Sequence, residues 1–216
     1  MGLIRVLWAR LGADLGPRRR AALARSAGLD AADRQAMERF RRWQDAQARL
    51  FGRLLLGRGL GMLGRDPGRV AQLTLGEFGQ PRLEGGPHFS LSHSGGLVVC
   101  ALCDESPLGV DVEESRDMDL GDFRASLTPA EWEWVQAGPA PHQRFLALWT
   151  AKESVLKTLG TGLSTPLDQV EVGAGWAAAA GRRWRLTPLD LDPGHKCHLC
   201  HAETDYDVVI TPVDLA

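Results

Sequence analysis

The chain has 216 residues, 44% of them hydrophobic, enough for one large domain or two small lobes with real cores. Its net charge of −2 singles out no class of partner, yet residues 1–70 carry 15 Arg and no Lys against 6 acidic residues, so an anionic ligand, an acidic partner or a solvated arginine face fits the N-terminal part. No uncharged apolar run approaches the roughly 18 residues that span a bilayer, and Arg5 and Arg10 break the pattern of a secretory leader, so a cytoplasmic protein without membrane or nucleic-acid partners is the expectation.

In chain order, residues 3–8 predict a short strand and residues 17–27 a first helix. Asp30 or Asp33 is placed to N-cap a longer helix reaching about residue 63. Its apolar positions Met37, Phe40, Trp43, Leu50 and Leu54 recur at helical spacing. Gly57, Gly59, Gly61 and Gly64 are expected to fray its end. Residues 70–76 suit a strand, and 79–87 a Gly/Pro-rich loop. Residues 88–94 alternate and then break at Gly95-Gly96, Leu97–Leu102 reads as the next strand, and 107–114 as a third. Such a meander is antiparallel and places the fold in the α+β class.

The polar stretch Asp117–Asp122 is the candidate hinge, dividing an N-terminal lobe (1–117) from a C-terminal lobe (118–216). Thr128-Pro129-x-Glu131 is a helix start. Pro139 and Pro141 begin another helix, which Gly160 or Gly162 ends. Candidate strands follow near 168–173, 182–188, 196–202 and 206–211. Each half thus runs from a long helix to strands.

The cysteine pairs Cys100-x-x-Cys103 and Cys197-x-x-Cys200 have the spacing of zinc half-sites, and Cys197-His198-Leu199-Cys200-His201 matches a haem-attachment pattern. On a strand, however, i and i+3 point to opposite faces, so Cys100 and Cys103 cannot chelate one ion. Structural thiols are the reading adopted.

The chemistry sits in two segments. On a strand 109–113, Asp111 and Glu113 project from one face while Leu108, Val110 and Val112 face the other. On a helix 149–157, Trp149, Glu153 and Lys157 align at i, i+4 and i+8. Separately, these are an edge-strand acid pair and an ordinary helix ion pair. Together they make a site for a hard divalent cation and a phosphate. Ser92 and His93 stand before Gly95-Gly96, where backbone N–H groups can meet an anion. Neither a Gly-x-x-x-x-Gly-Lys nor a Gly-x-Gly-x-x-Gly loop is present.

Phe89-Ser-Leu-Ser-His-Ser94, Gly109-Val-Asp-Val-Glu113 and Trp149-Thr-Ala-Lys-Glu-Ser-Val-Leu-Lys157, in this order and spacing, resemble the three signature motifs of the 4′-phosphopantetheinyl transferases of the large monomeric type. Gly52-Arg53-Leu54, Gly79-Gln80-Pro81, Phe123 to Glu131 and Gly162-Leu163-Ser164 extend the resemblance over about residues 30–212. It implies a pseudo-dimer of two α+β lobes, each a long helix on a small, mostly antiparallel sheet, with coenzyme A between them. It implies Mg²⁺ on Asp111, Glu113 and Glu153, and Lys157 on the coenzyme's phosphates. It places Ser92 and His93 at the adenosine-side phosphates, with Lys152 and Arg53 also binding the coenzyme. The implied reaction is attack by a carrier-protein serine on the pantetheine-bearing phosphorus, releasing adenosine 3′,5′-bisphosphate. Glu153 is the candidate general base, directly or through water, and whether it binds metal, takes the proton or does both stays open. The sequence departs from the family at Gln80, Ala36 and Leu75, where basic residues are common. Arg34, Arg39, Arg41 or Arg82 could substitute, and weaker coenzyme binding or a shifted binding mode is expected. The alternative is a catalytically weakened or non-catalytic homologue that binds an anionic ligand or a carrier domain.

Overall fold

A computed structural model describes residues 2–215; the side chain of Leu163 lies outside that description. The chain runs β1 (Gly2–Arg10), α1 (Gly16–Ser26), α2 (Ala31–Glu38), α3 (Trp43–Met62), β2 (Thr74–Leu75), β3 (Pro81–Arg82), β4 (His88–Ser94), β5 (Leu97–Cys103) and β6 (Leu108–Glu114). It continues with α4 (Pro129–Ala137), α5 (Pro141–Leu159), β7 (Glu171–Gly173), β8 (Trp176–Ala179), β9 (Arg182–Pro188), β10 (His195–His201) and β11 (Tyr206–Pro212). One sheet has the order β11-β1-β5-β4 and a second the order β6-β10-β9-β8-β7. All pairs within them are antiparallel except β1 with β11.

The layers are helix, sheet, sheet, helix. Leu7, Leu55, Leu56, Val98 and Cys100 join α3 to the outer face of the first sheet. Ile4, Val6, Val99, Val110, Val112 and Leu199 fill the space between the sheets. Ala151, Val155, Leu186 and Cys200 join α5 to the second sheet. Strand alternation sorts each strand's residues between these cores. It also settles the cysteines: Cys100 faces the α3 core and Cys103 the inter-sheet core, while Cys197 faces the inter-sheet core and Cys200 faces α5. All four are free and buried. Burial pushes the Cys100 and Cys197 thiols up and that of Cys200 to about 12, so they stay protonated.

Three sequence expectations are corrected. The helix predicted from about 30 to 63 is two. Asp30 caps α2 by accepting the Asp33 N–H at 2.7 Å, and Arg42 is extended before α3 starts. The break turns Met37 of α2 and Leu50 of α3 onto one core. The glycines do not fray α3, which runs through Gly57, Gly59 and Gly61. A Cβ at Gly59 would lie 2.7 Å from Leu102, so its absence lets the helix rest on the sheet. The predicted meander stops at β5, whose two edges are already taken by β1 and β4; β6 crosses to the second sheet and pairs with β10. Strand pairing therefore does not divide at residue 117, since β6 belongs to the second sheet and β11 to the first.

Two smaller differences follow from local chemistry. Of the strand expected over 70–76 only Thr74–Leu75 forms; Pro67–Gln72 is a 3₁₀ turn, with Pro67 at its start and the Asp66 carboxylate accepting the Gly68 N–H. Strand β8 was not expected from its alanines; it forms as the middle of a hairpin ladder with β7 and β9. The helix start at Thr128 is a capping box, as predicted: Thr128 Oγ1 accepts the Glu131 N–H and Glu131 accepts the Thr128 N–H. Gly160, at φ +73, ends α5. No described helix is long and apolar enough to cross a membrane.

Candidate active site

Strand β4 is the edge of its own sheet, and its free side faces β6 of the other sheet. The two strands run the same way, and side chains take the place of a backbone ladder. Ser90, Ser92 and Ser94 alternate, so all three hydroxyls point across the seam. Their Oγ atoms accept the N–H groups of Val110, Val112 and Glu114 at 3.0, 3.3 and 3.1 Å. Phe89 and Leu91 point the other way, into the α3 core. The serines of the first motif thus tie β4 of one sheet to β6 of the other, besides standing near the chemistry.

The same hydroxyls donate to the acids. Ser92 Oγ lies 2.8 Å from Asp111 Oδ1, and Ser94 Oγ lies 2.6 Å from Glu113 Oε2. Asp111 and Glu113 do share one face of β6, as their spacing predicts. Helix α5 closes the third side. It packs onto β6 at Gly109, where a Cβ would lie 2.6 Å from the Thr158 N and collide with the Ser154 carbonyl. This close approach brings Lys157 Nζ to 2.6 Å from Asp111 Oδ1 and 2.9 Å from Ser92 Oγ. Trp149 anchors the start of this segment against Phe123 and Phe145, at centroid distances of 5.4 and 5.6 Å.

Burial raises the pKa of Glu113 above the usual carboxylate range; the Asp111 charge adds to this, while Ser94 and Lys157 oppose it. Burial raises Glu153 too, reinforced by the Asp111 charge and opposed by Lys157. Three acids around one lysine therefore hold an excess of negative charge. Asp111 Oδ2 is buried without a hydrogen-bond partner. An orphaned carboxylate oxygen beside two desolvated acids fits a hard cation, which takes one or two carboxylates and completes its shell with water and phosphate oxygens. The three acids do not converge into a ready-made cage, however. Among the described residues no group of three His, Cys, Asp or Glu side chains is arranged to hold an ion, and Lys157 occupies Asp111 Oδ1.

The remaining site candidates separate. His93 lines, together with Ser92, a groove of about 230 Å³ between α3, β4 and the Gly79–Pro81 loop, lined also by Asp45, Arg49 and Arg53. The groove wall desolvates its ring and lowers its pKa, with Asp45 opposing and the Lys157 charge adding to the lowering. Arg53 is nearly buried and pairs with Asp33 Oδ1 at 3.1 Å. Lys152, expected at the coenzyme, does not reach the cleft: it is fully buried, 2.7 Å from Glu131 and 2.8 Å from the Leu167 carbonyl. Its position i+3 from Trp149 turns it inward, where it ties α5 to the capping box of α4.

The departures from the family pattern also find places. Gln80 Nε2 donates to the Lys157 carbonyl at 2.9 Å, pinning the loop to the last turn of α5. Leu75 is 72% exposed. Arg34 donates to the Leu29 carbonyl and lines, with Arg41, a separate cavity between α1 and α2. Arg82 lines another cavity, with His88 and Thr158. Sequence reasoning missed the role of Ser94 and of Gly109. The alternation Ser90/Ser92/Ser94 was the available signal for the first; nothing local announces the second.

The model for the 4′-phosphopantetheinyl transferase superfamily matches residues 107–211. A 4′-phosphopantetheinyl transferase of Bacillus subtilis is 34% identical over 151 residues, covering 68% of this chain and 66% of that protein. The 4′-phosphopantetheinyl transferase Sfp of Bacillus subtilis (strain 168) is 29% identical over 191 residues, 83% of this chain and 85% of that protein. The 4′-phosphopantetheinyl transferase gsp of Aneurinibacillus migulanus is 30% identical over 183 residues, 81% of this chain and 77% of that protein. With β4, β6 and α5 carrying the three motifs into one seam, the chain belongs to the 4′-phosphopantetheinyl transferase superfamily.

Proposed function

We propose that the chain transfers the 4′-phosphopantetheine group of coenzyme A to a serine of an acyl or peptidyl carrier protein, in the cleft between its two lobes. The observation that carries this reading is the contact of Lys157 with Asp111 and Ser92, one residue from each motif. Lys157 is a compact charge fit for a diphosphate oxygen. When bound, Mg²⁺ supplies charge neutralisation on the diphosphate; Asp111 and Glu113, with Glu153 beside them, would hold it.

The serine oxygen of the carrier forms a bond to the phosphorus bearing pantetheine. The bond from that phosphorus to the bridging oxygen breaks, and adenosine 3′,5′-bisphosphate leaves. Glu153, desolvated and held above its ordinary pKa, is a stronger base than an exposed glutamate and takes the serine proton directly or through water. Lys157 meets the charge that builds up on the leaving side. We further propose that residues 1–117 and 118–216 form the two lobes, with β6 and β11 exchanged between their sheets, and that the protein acts as a monomer in the cytoplasm.

The test is incubation with an apo carrier protein, coenzyme A and Mg²⁺. A phosphopantetheine mass increment on the serine supports the reading. Binding of the carrier without any increment would favour the non-catalytic alternative.

A further inference from the structure

Coenzyme A carries negative charge in two places, at its diphosphate and at its ribose 3′-phosphate. With the diphosphate at Lys157, the cationic wall left along the α3 groove is Arg49 and Arg53, beside His93. Arg82, Arg34 and Arg41 line other cavities. Each guanidinium of this pair already gives one nitrogen to an anion, while its buried Nε has no hydrogen-bond partner. Arg49 Nη2 lies 2.7 Å, and Arg53 Nη2 3.1 Å, from the same oxygen, Asp33 Oδ1. The carboxylate is built in: its side chain is 12% exposed, and the Asp30 cap fixes the Asp33 N–H in the first turn of α2.

Burial pushes the Asp33 carboxyl up, but the Arg53 and then Arg49 charges pull it further down, to below the usual carboxylate range. It is an anion at neutral pH. Asp33 meets one of the two guanidinium charges, and Asp45, which lines the same groove, stands against the other, so an arriving phosphate adds its negative charge to a groove already balanced.

Resting on the transferase reading, we propose that Asp33 is a specificity-determining counter-ion that occupies the arginine pair in place of the ribose 3′-phosphate, so that the chain accepts coenzyme A and 3′-dephospho-coenzyme A as donors with nearly equal efficiency. The pantetheine-bearing phosphorus and its leaving oxygen are the same in both donors. Only the nucleotide released differs, adenosine 3′,5′-bisphosphate from one and AMP from the other.

The test compares kcat/KM for the two donors with an apo carrier protein, and the calorimetric affinities of adenosine 3′,5′-bisphosphate and AMP. The wild type should show ratios within about 3-fold, since a charge-assisted contact made by the 3′-phosphate alone is worth about 10-fold or more. Asp33→Asn should raise the preference for coenzyme A by about 10-fold while leaving the dephospho donor unchanged. A wild-type preference of about 30-fold or more for coenzyme A overturns the proposal, as does an unchanged ratio in a folded Asp33→Asn. Should that variant not fold, the wild-type ratios decide. If both nucleotides bind equally but neither donor is used, the counter-ion role stands and the transferase reading falls. If neither nucleotide binds, both fall.

Discussion

Substituting Gly109 by Ala probes how the site is assembled without touching a group that reacts. The added Cβ would sit 2.6 Å from the Thr158 N and on top of the Ser154 carbonyl, both backbone atoms of α5. Neither can rotate away. To reach 3.4 Å of ordinary contact the helix must withdraw from β6 by about 0.8 Å at the Thr158 N and by more at the Ser154 carbonyl. Overpacking of this kind costs about 1–3 kcal/mol. The same withdrawal carries Glu153 and Lys157 with it, stretching the 2.6 Å contact to Asp111. A misplacement of about 1 Å at a reacting centre costs on the order of 100-fold in rate. The assay is urea unfolding together with kcat/KM for carrier modification at a temperature where the variant stays folded. Loss of about 100-fold in a folded variant is the expected result. A variant with stability and kcat/KM close to wild type would refute the argument that the approach of α5 to β6 sets the catalytic geometry.

Glu153→Gln should abolish most turnover while raising the melting temperature at pH 7.5. A carboxyl with a raised folded pKa binds protons more tightly in the folded state, so its presence destabilises the fold as pH rises above the ordinary value of 4.5. The gain should vanish at pH 4, and a melting temperature lowered at neutral pH would show that the acid cluster is not under repulsion. Lys152→Met should destabilise by about 3–5 kcal/mol, because it strands the half-buried Glu131 carboxylate. The KM for coenzyme A should stay the same in the folded fraction, and a large KM rise would put Lys152 back at the coenzyme. Ser94→Ala removes both the contact to Glu113 and the acceptor for the Glu114 N–H. Calorimetry should show weaker Mg²⁺-dependent coenzyme binding; unchanged binding would mean Glu113 needs no support from β4.

The parts of the site legible in the sequence were those set by periodicity within one element. Asp111 and Glu113 share a face because a strand alternates, and Glu153 and Lys157 share one because a helix repeats. The capping box at Thr128 and the glycine stop at Gly160 are equally local. What stayed hidden depends on two elements at once. Lys152 looks like a cleft residue by its neighbours in sequence, and only the position of α4 turns it into a buried tie. The crossing of β6 to the second sheet follows from competition for the edges of β5, which no single strand reports. Asp33 reads as a possible helix cap; the arginines that make it a counter-ion stand 16 and 20 residues further on.

The most direct measurement of the central claim is mass spectrometry of an apo carrier protein incubated with the wild-type chain, coenzyme A and Mg²⁺, beside Asp111→Ala in parallel. The wild type should add one phosphopantetheine group to the carrier serine with release of one adenosine 3′,5′-bisphosphate, and the folded Asp111 variant should add almost none. Equal modification by both proteins would contradict the assignment of the seam between β4, β6 and α5 as the place where transfer occurs.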